Sequence, residues 1–291
     1  MKILSMFPLR IHCWGGLGSQ FFALSTFLLL SKKFPNRKLV LVLHSGGVTE
    51  RTSEIDGFLP IGNIKKVSDF NAKKSRTIES LESSQNLSIK GLLKLLAYRS
   101  GFVSDLSGSI KELKPWILSV RGHYTNLKIP HDCINELVCI SGVENFHGNG
   151  EPNSINSLSI HYRIGDLLNV KPESLVSKET LVDLVNALKK VNSIDKIHLY
   201  SDSLVLASQY LEICGLTIEC HDEDTLSAVK ALSHASTFIG TNSKVSLWIV
   251  IFRIFFNIRM KSYIPAAMLP QLVAVTDLSE AQLIESFVKL Y

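Results

Sequence analysis

Apolar residues in the second half of the chain follow two alternating rhythms. Ser157-Leu-Ser-Ile160 alternates polar and apolar, so the stretch through Arg163 predicts a strand. Lys178–Val191 places Leu181, Leu184, Val185 and Leu188 on one face of a helix. A strand over Lys196–Asp202 comes next, then a helix closing near Gly215, a residue suited to a C-cap. Thr217–Cys220 reads as a short strand, and Asp224-Thr-Leu226 opens a helix carrying Leu226, Val229 and Leu232 at helical spacing. Thr237–Gly240 is a fourth strand, and an apolar helix runs from Ser243. Strands alternating with helices imply right-handed crossovers and a parallel sheet covered on both faces.

The first half begins in the same manner. Lys2–Phe7 reads as a strand, followed by a glycine-rich turn, a helix near Gln20–Ser31 and a strand over Lys38–His44. From Gly46 to Pro130 the pattern loosens into short polar segments. Gly148-Asn-Gly-Glu-Pro-Asn-Ser154 marks a linker, which puts the junction between Gly142 and Ser157. The tail Asp277–Tyr291, with Leu283, Ile284, Phe287 and Val288, predicts a terminal amphipathic helix. The expected organisation is α/β, with a Rossmann-like domain over 1–150, a second, nucleotide-binding one over 151–270, and a tail helix over 271–291.

Composition narrows the function classes. At 46% hydrophobic residues the 291-residue chain is a folded protein with a substantial core. The formal net charge of +5 favours anionic ligands, but it is diffuse and lacks the basic stripe of a nucleic-acid binder. Five cysteines without a C-x-x-C pair suggest reduced thiols and a cytoplasmic setting. The most hydrophobic stretch, Val245–Phe256, is interrupted by Arg253; it reads as a buried helix first and a membrane-surface contact second.

Candidate chemistry gathers at the predicted carboxyl ends of strands, where open α/β sheets bind ligands. His161-Tyr-Arg-Ile-Gly-Asp166 puts Arg163 there, and a guanidinium offers a fork of donors to phosphate; the alternative is an Arg–Asp pair closing a loop. Gly15-Gly-Leu-Gly-Ser-Gln20 leads into the first helix, as a close-approach anion turn or a plain tight turn. It lacks the dinucleotide fingerprint and its acidic partner, which argues against an NAD-dependent oxidoreductase. Tyr200-Ser-Asp202 suits a ribose or base contact, or a helix cap. Asp222-Glu-Asp224 allows a metal-diphosphate site, but Asp224 sits where an N-cap belongs, so no metal is expected. Gly240-Thr-Asn-Ser-Lys-Val-Ser246 clusters hydroxyls and backbone N–H groups at a helix start, as a phosphate cradle or an ordinary capped helix.

In order, these segments resemble the α-1,2-fucosyltransferase family and its wider superfamily, which pairs G-G-L-G-N-Q, H-x-R-R-x-D and N-S-S-F-S-W-W motifs. The first reads Gly15-Gly-Leu-Gly-Ser-Gln20, with Ser19 replacing Asn. The second keeps Arg163 and has Ile164 at the second arginine; the third keeps Asn242, Ser243, Ser246 and Trp248. Tyr200-Ser-Asp202 is similar to the family's F-S-D, and Asp224–Lys230 to its acidic-then-apolar helix start. Residues 46–150 carry no resemblance.

The resemblance implies a GT-B-like fold, two Rossmann-like domains with parallel sheets facing a cleft, and an inverting glycosyltransferase that needs no metal. GDP-fucose would be the donor and a hydroxyl of a glycan, lipid-linked in bacterial surface polysaccharide such as O-antigen, the acceptor. Arg163 would hold the diphosphate, His161 and Asp224 the guanine or ribose, and Ser243 and Ser246 the phosphates. The Gly16–Gly18 loop would close on the sugar-phosphate, with Gln20, Asp202 and Asn242 completing the donor set. Asp166 and Glu173 are the candidate bases for the acceptor hydroxyl. Ile164 leaves open a different nucleotide sugar, and a non-catalytic nucleotide-binding module is the alternative outside enzymes. An enzyme of this kind would work in the cytoplasm or peripherally at the inner membrane face.

Overall fold

The computed structural model describes residues 7–45, 52–60, 62–68, 88–106, 110–144, 156–165, 167–259 and 261–291. The chain divides into two compact units, Met1–Cys133 and Ile134–Tyr291. Most of the expected linker, residues 145–155, lies outside the described residues.

The first unit holds a parallel sheet of β1 (Leu9–Trp14), β2 (Leu39–His44), β3 (Ile64–Val67), β4 (Val103–Asp105) and β5 (Ser119–Arg121), in the order β3-β2-β1-β5-β4. The strand expected over Lys2–Phe7 lies outside the described residues except for Phe7, which is 54% exposed and not in a strand. The strand feeding the glycine turn begins beyond Pro8, which has no N–H to give a ladder. Leu9, Ile11 and Cys13 then point into the core. Helix α1 (Leu17–Lys33) is apolar nearly all round, as a helix packed on several sides must be. Its buried Ser25 and Thr26 hydroxyls donate back to Phe21 O and Phe22 O. Between strand and helix, Gly15 has φ +112°, and a Cβ there would stand 2.9 Å from Ser19 Oγ. Helices α2 (Ile89–Arg99) and α3 (His131–Ser141) follow, the unit boundary falling inside the latter.

The second unit follows the rhythm of its sequence. Strands β6 (Ser157–Tyr162), β7 (Lys196–Ser201), β8 (Thr217–His221) and β9 (Phe238–Gly240) alternate with α4 (Lys178–Asn192), α5 (Leu204–Leu211), α6 (Thr225–His234) and α7 (Lys244–Phe255). With β10 (Ser262–Ile264) and β11 (Val288–Leu290) the sheet is parallel and six-stranded, in the order β11-β10-β9-β6-β7-β8, so the α/β class expected is the one found. The core joins Leu158, Ile160 and Tyr162 of β6 to Leu181, Val185 and Leu188 of α4.

Val245–Arg253 of α7 are all buried, as the first reading of this stretch expects, while Ile254, Phe255 and Phe256 are half-buried. Arg253 is itself fully buried because its guanidinium reaches Ser262 Oγ (2.8 Å) and the carbonyls of Leu232 (3.2 Å), Ala235 (2.5 Å) and Lys261 (3.1 Å). Burial pushes its pKa down to about 9. Among the described residues no helix is long and apolar enough to cross a membrane.

The tail is not one helix. After α8 (Leu269–Val275), the short α9 (Glu280–Ser286) starts at a Ser279/Gln282 capping box and stops at Phe287. Val288, expected on its apolar face, turns inward in β11 (Val288–Leu290), which pairs with β10 (Ser262–Ile264). Tyr291 then donates its hydroxyl to Gly240 O at 2.8 Å.

Candidate functional site

Motifs about 80 residues apart in sequence meet at the carboxyl edge of the second sheet, because β6 and β9 are hydrogen-bonded neighbours. Arg163 leaves the end of β6, and its N–H donates to Thr241 Oγ1 (2.9 Å), whose hydroxyl donates to His161 O (3.0 Å). The Arg163 side chain keeps 27% of its surface exposed, with Nε 3.6 Å from Asp202 Oδ2. Asp202 Oδ1 accepts the N–H groups of Ile164 (2.9 Å) and Gly165 (3.0 Å). Asp202 thus braces the loop that carries Arg163 and makes no side-chain cap of α5. Ile164, in place of an arginine, is fully buried in the core.

His161 is buried, its Nδ1 2.7 Å from Ser246 Oγ and 3.5 Å from Ser243 Oγ. Ser243 donates to Ser246 Oγ (3.2 Å) and, as the N-cap of α7, accepts the Ser246 N–H (3.0 Å). Burial, then the nearby Arg163 charge, hold the His161 pKa at about 4 against a slight opposing pull from Asp202, so the imidazole is neutral at pH 7. Ser246 is fully buried and spent on this network, which corrects its expected contact with phosphate. Gly240 is what lets the strand pass so close. A Cβ there would lie 2.9 Å from Phe238 Cε1 and 3.0 Å from Ser246 Cβ. Asn242 donates to Ser174 O (3.3 Å), tying the same edge to the turn that bears the exposed Glu173. Asp166 lies outside the described residues.

The remaining expected residues are employed otherwise. Asp224 caps α6, accepting Leu226 N–H and Ser227 N–H (both 3.0 Å) and the Ser227 hydroxyl (2.6 Å). The Ser227 hydroxyl, then its N–H, hold this carboxyl below the usual range. Such a cap leaves it little capacity for a guanine, a ribose or a metal. In the first unit, Gly16 is the N-cap of α1 and its carbonyl accepts from Ser19 N and Gln20 N, while Gly18 is buried in the first turn. Leu17 N–H donates to Glu54 Oε1 at 2.9 Å, so a carboxylate of the protein already sits where an anion was expected. Gln20 is buried; its amide donates to Gly15 O and Thr52 O and accepts Glu54 N–H. It holds the 52–54 segment against the turn, with both amide N–H donors already committed.

Sequence reasoning missed Thr241, Glu54 and Tyr291. Thr241 stood inside the Gly240–Ser246 run, and its hydroxyl was the available signal. Glu54 and Tyr291 act through folding alone, and nothing local announces them.

Taken together, the described elements form two parallel α/β units of Rossmann-like type, with an arginine, a neutral histidine and a hydroxyl-rich helix start at one strand edge of the second. No family model matches the chain. No curated protein matches it either. Among solved structures it is similar to POFUT1 in complex with GDP-fucose (11% identity over 86% of this chain and 95% of that one, TM-score 0.42). It is also similar to the E. coli heptosyltransferase WaaC with ADP (10%, 92% and 90%, TM-score 0.44). A third is the NodZ alpha-1,6-fucosyltransferase soaked with GDP-fucose (10%, 84% and 92%, TM-score 0.44).

Proposed function

We propose that the chain is a nucleotide-sugar-dependent glycosyltransferase whose second unit holds the donor, with GDP-fucose the donor and a glycan hydroxyl the acceptor. One observation carries the reading: Arg163 stands partly exposed at a carboxyl edge, beside the capped start of α7. Two of the segments that resemble the fucosyltransferase motifs, those beginning at His161 and at Asn242, build this edge, and Asp202 of a third braces it. A guanidinium there neutralises charge on the departing nucleoside diphosphate, which lowers the barrier to displacement at the anomeric carbon. Asn242, Ser243 and the first-turn N–H groups of α7 complete the phosphate side. His161 shapes the edge from beneath. Glu173 takes the acceptor proton, with Asp166 the other candidate. The acceptor is a polysaccharide precursor, possession of a lipid carrier being a feature of the acceptor alone.

The test is donor turnover. Purified protein is incubated with GDP-fucose, GDP-mannose and UDP-sugars in EDTA, and nucleoside diphosphate release is followed with and without glycan acceptors. GDP release from GDP-fucose that falls at least a hundredfold in Arg163→Ala supports the reading. Turnover of a UDP-sugar alone replaces the donor, and binding of GDP with no turnover of any sugar nucleotide makes the chain a nucleotide-binding module.

A further inference from the structure

A second cluster of chemistry-bearing side chains lies on one face of β7 and β8, away from the Arg163 edge. His198 of β7 pairs in register with Glu219 of β8, and His221 stands two residues further along β8, so the three share a pleat face. His198 Nδ1 is 3.0 Å from His221 Nε2 and 3.7 Å from Glu219 Oε2, and His221 Nε2 is 3.9 Å from Glu219 Oε1. Four ligands at 2.0–2.1 Å around a tetrahedral ion stand about 3.4 Å from one another. One donor atom from each of the three residues lies within 4.8 Å of the other two, and closing the Glu219 carboxylate on the two imidazoles brings the three toward that spacing.

The surroundings suit a metal as well. Lys196 Nζ pairs with Glu219 Oε2 at 2.6 Å, which leaves the other carboxylate oxygen on the His221 side. Glu223 Oε1 lies 3.8 Å from Nδ1 of His221, on the ring edge opposite Nε2. Carboxylates behind ligating histidines and hydrogen bonds to ligating carboxylates are what fix such ligands in place. Tyr200 stacks on the His221 ring at 4.5 Å and 7°, holding its plane. The chain also contains a His12–His44 pair at 2.9 Å, but among the described residues only the His198 cluster has a third ligand within reach.

We propose that His198, Glu219 and His221 form a binding site for one divalent cation of the zinc class, which clips the edge strand β8 to β7. Two imidazoles and a carboxylate are a ligand set for borderline ions, and the fourth position is taken by water. The hydrogen shared between the two imidazoles shifts to the far nitrogen of its own ring, and both lone pairs then meet the ion. Roughly 13 Å of strand separates His198 from Asp202, so the ion is structural and takes no part at the Arg163 edge.

The test uses tag-free full-length protein, stripped with a chelator, dialysed and titrated with Co2+ and Zn2+. Wild type is expected to take up one Co2+ with visible bands of a tetrahedral site, displaced by Zn2+, and at saturating Zn2+ to melt about 5 °C or more higher. Because His198 is buried, the variants are His221→Ala and Glu219→Gln, each checked for wild-type near-UV circular dichroism; His44→Ala is the control. Co2+ affinity falling at least tenfold in the first two and unchanged in His44→Ala supports the site. No Co2+ uptake by wild type, or uptake undiminished in both cluster variants, overturns it. Neither result bears on donor turnover, so this site and the transferase reading fail separately.

Discussion

The neutral His161 makes the second unit acid-sensitive by an amount that can be worked out. Folding lowers its pKa from 6.5 to about 4, chiefly through burial. A group with a depressed basic pKa binds its proton more readily when unfolded, so its contribution is complete above pH 6.5 and is lost as pH falls toward 4. Each pH unit in that window removes about 1.4 kcal/mol, which amounts to about 2 kcal/mol at pH 5. The perturbation is His161→Asn, which keeps a polar atom near the Nδ1 position facing Ser246 but cannot titrate. Both proteins carry Trp14→Phe and Trp116→Phe, leaving the fully buried Trp248 to report on the second unit alone. This also hides a second depressed histidine of the first unit, His12, which burial and then Arg121 hold to about 3. With a urea slope of about 2 kcal/mol per molar, the midpoint of the His161 protein should fall between pH 7.5 and 5 by roughly 1 M more than that of His161→Asn. Parallel falls, within about 0.2 M, would show that His161 titrates normally and that the buried network is wrong.

Three more outcomes follow from the same geometry. Gly240→Ala should cost about 1–3 kcal/mol in urea unfolding, because a Cβ meets Phe238 and Ser246 at 2.9–3.0 Å; an unchanged midpoint would mean the strand has slack there. Arg253→Met should cost about 3–5 kcal/mol by the same assay, since it removes the guanidinium donors from Ser262 Oγ and from the carbonyls of Leu232, Ala235 and Lys261, and a loss below about 1 kcal/mol would contradict the placement of α7. Asp224→Ala should cost about 1 kcal/mol and Asp224→Asn far less, because both Asp and Asn cap helices; equal losses in the two would show that the carboxylate charge, and not the capping oxygen, supplies the stability.

The alternation of strand and helix from Ser157 to Phe255 was legible because each element there repeats its period at least once. The strands that escaped notice, β3, β4, β5, β10 and β11, are three or four residues long and show little of a period of two. Val288 read as helical because its spacing to Leu283, Ile284 and Phe287 fits a helix equally well; pairing with β10 decides otherwise. At the site, residue types named the right edge but not each residue's work. Ser246, Gln20 and Asp202 carry the donors and acceptors of ligand-binding residues, yet folding spends them on His161, the 52–54 segment and the Arg163 loop. Those partners lie 32 to 85 residues away in sequence, beyond any local pattern.

The central claim is that Arg163 meets the pyrophosphate of a nucleoside diphosphate, and calorimetric titration of GDP into wild type and Arg163→Ala addresses it directly. Losing charge-assisted hydrogen bonds to phosphate should weaken GDP binding roughly 10- to 100-fold, with unfolding midpoints matched. Equal GDP affinity in the two proteins would contradict the account.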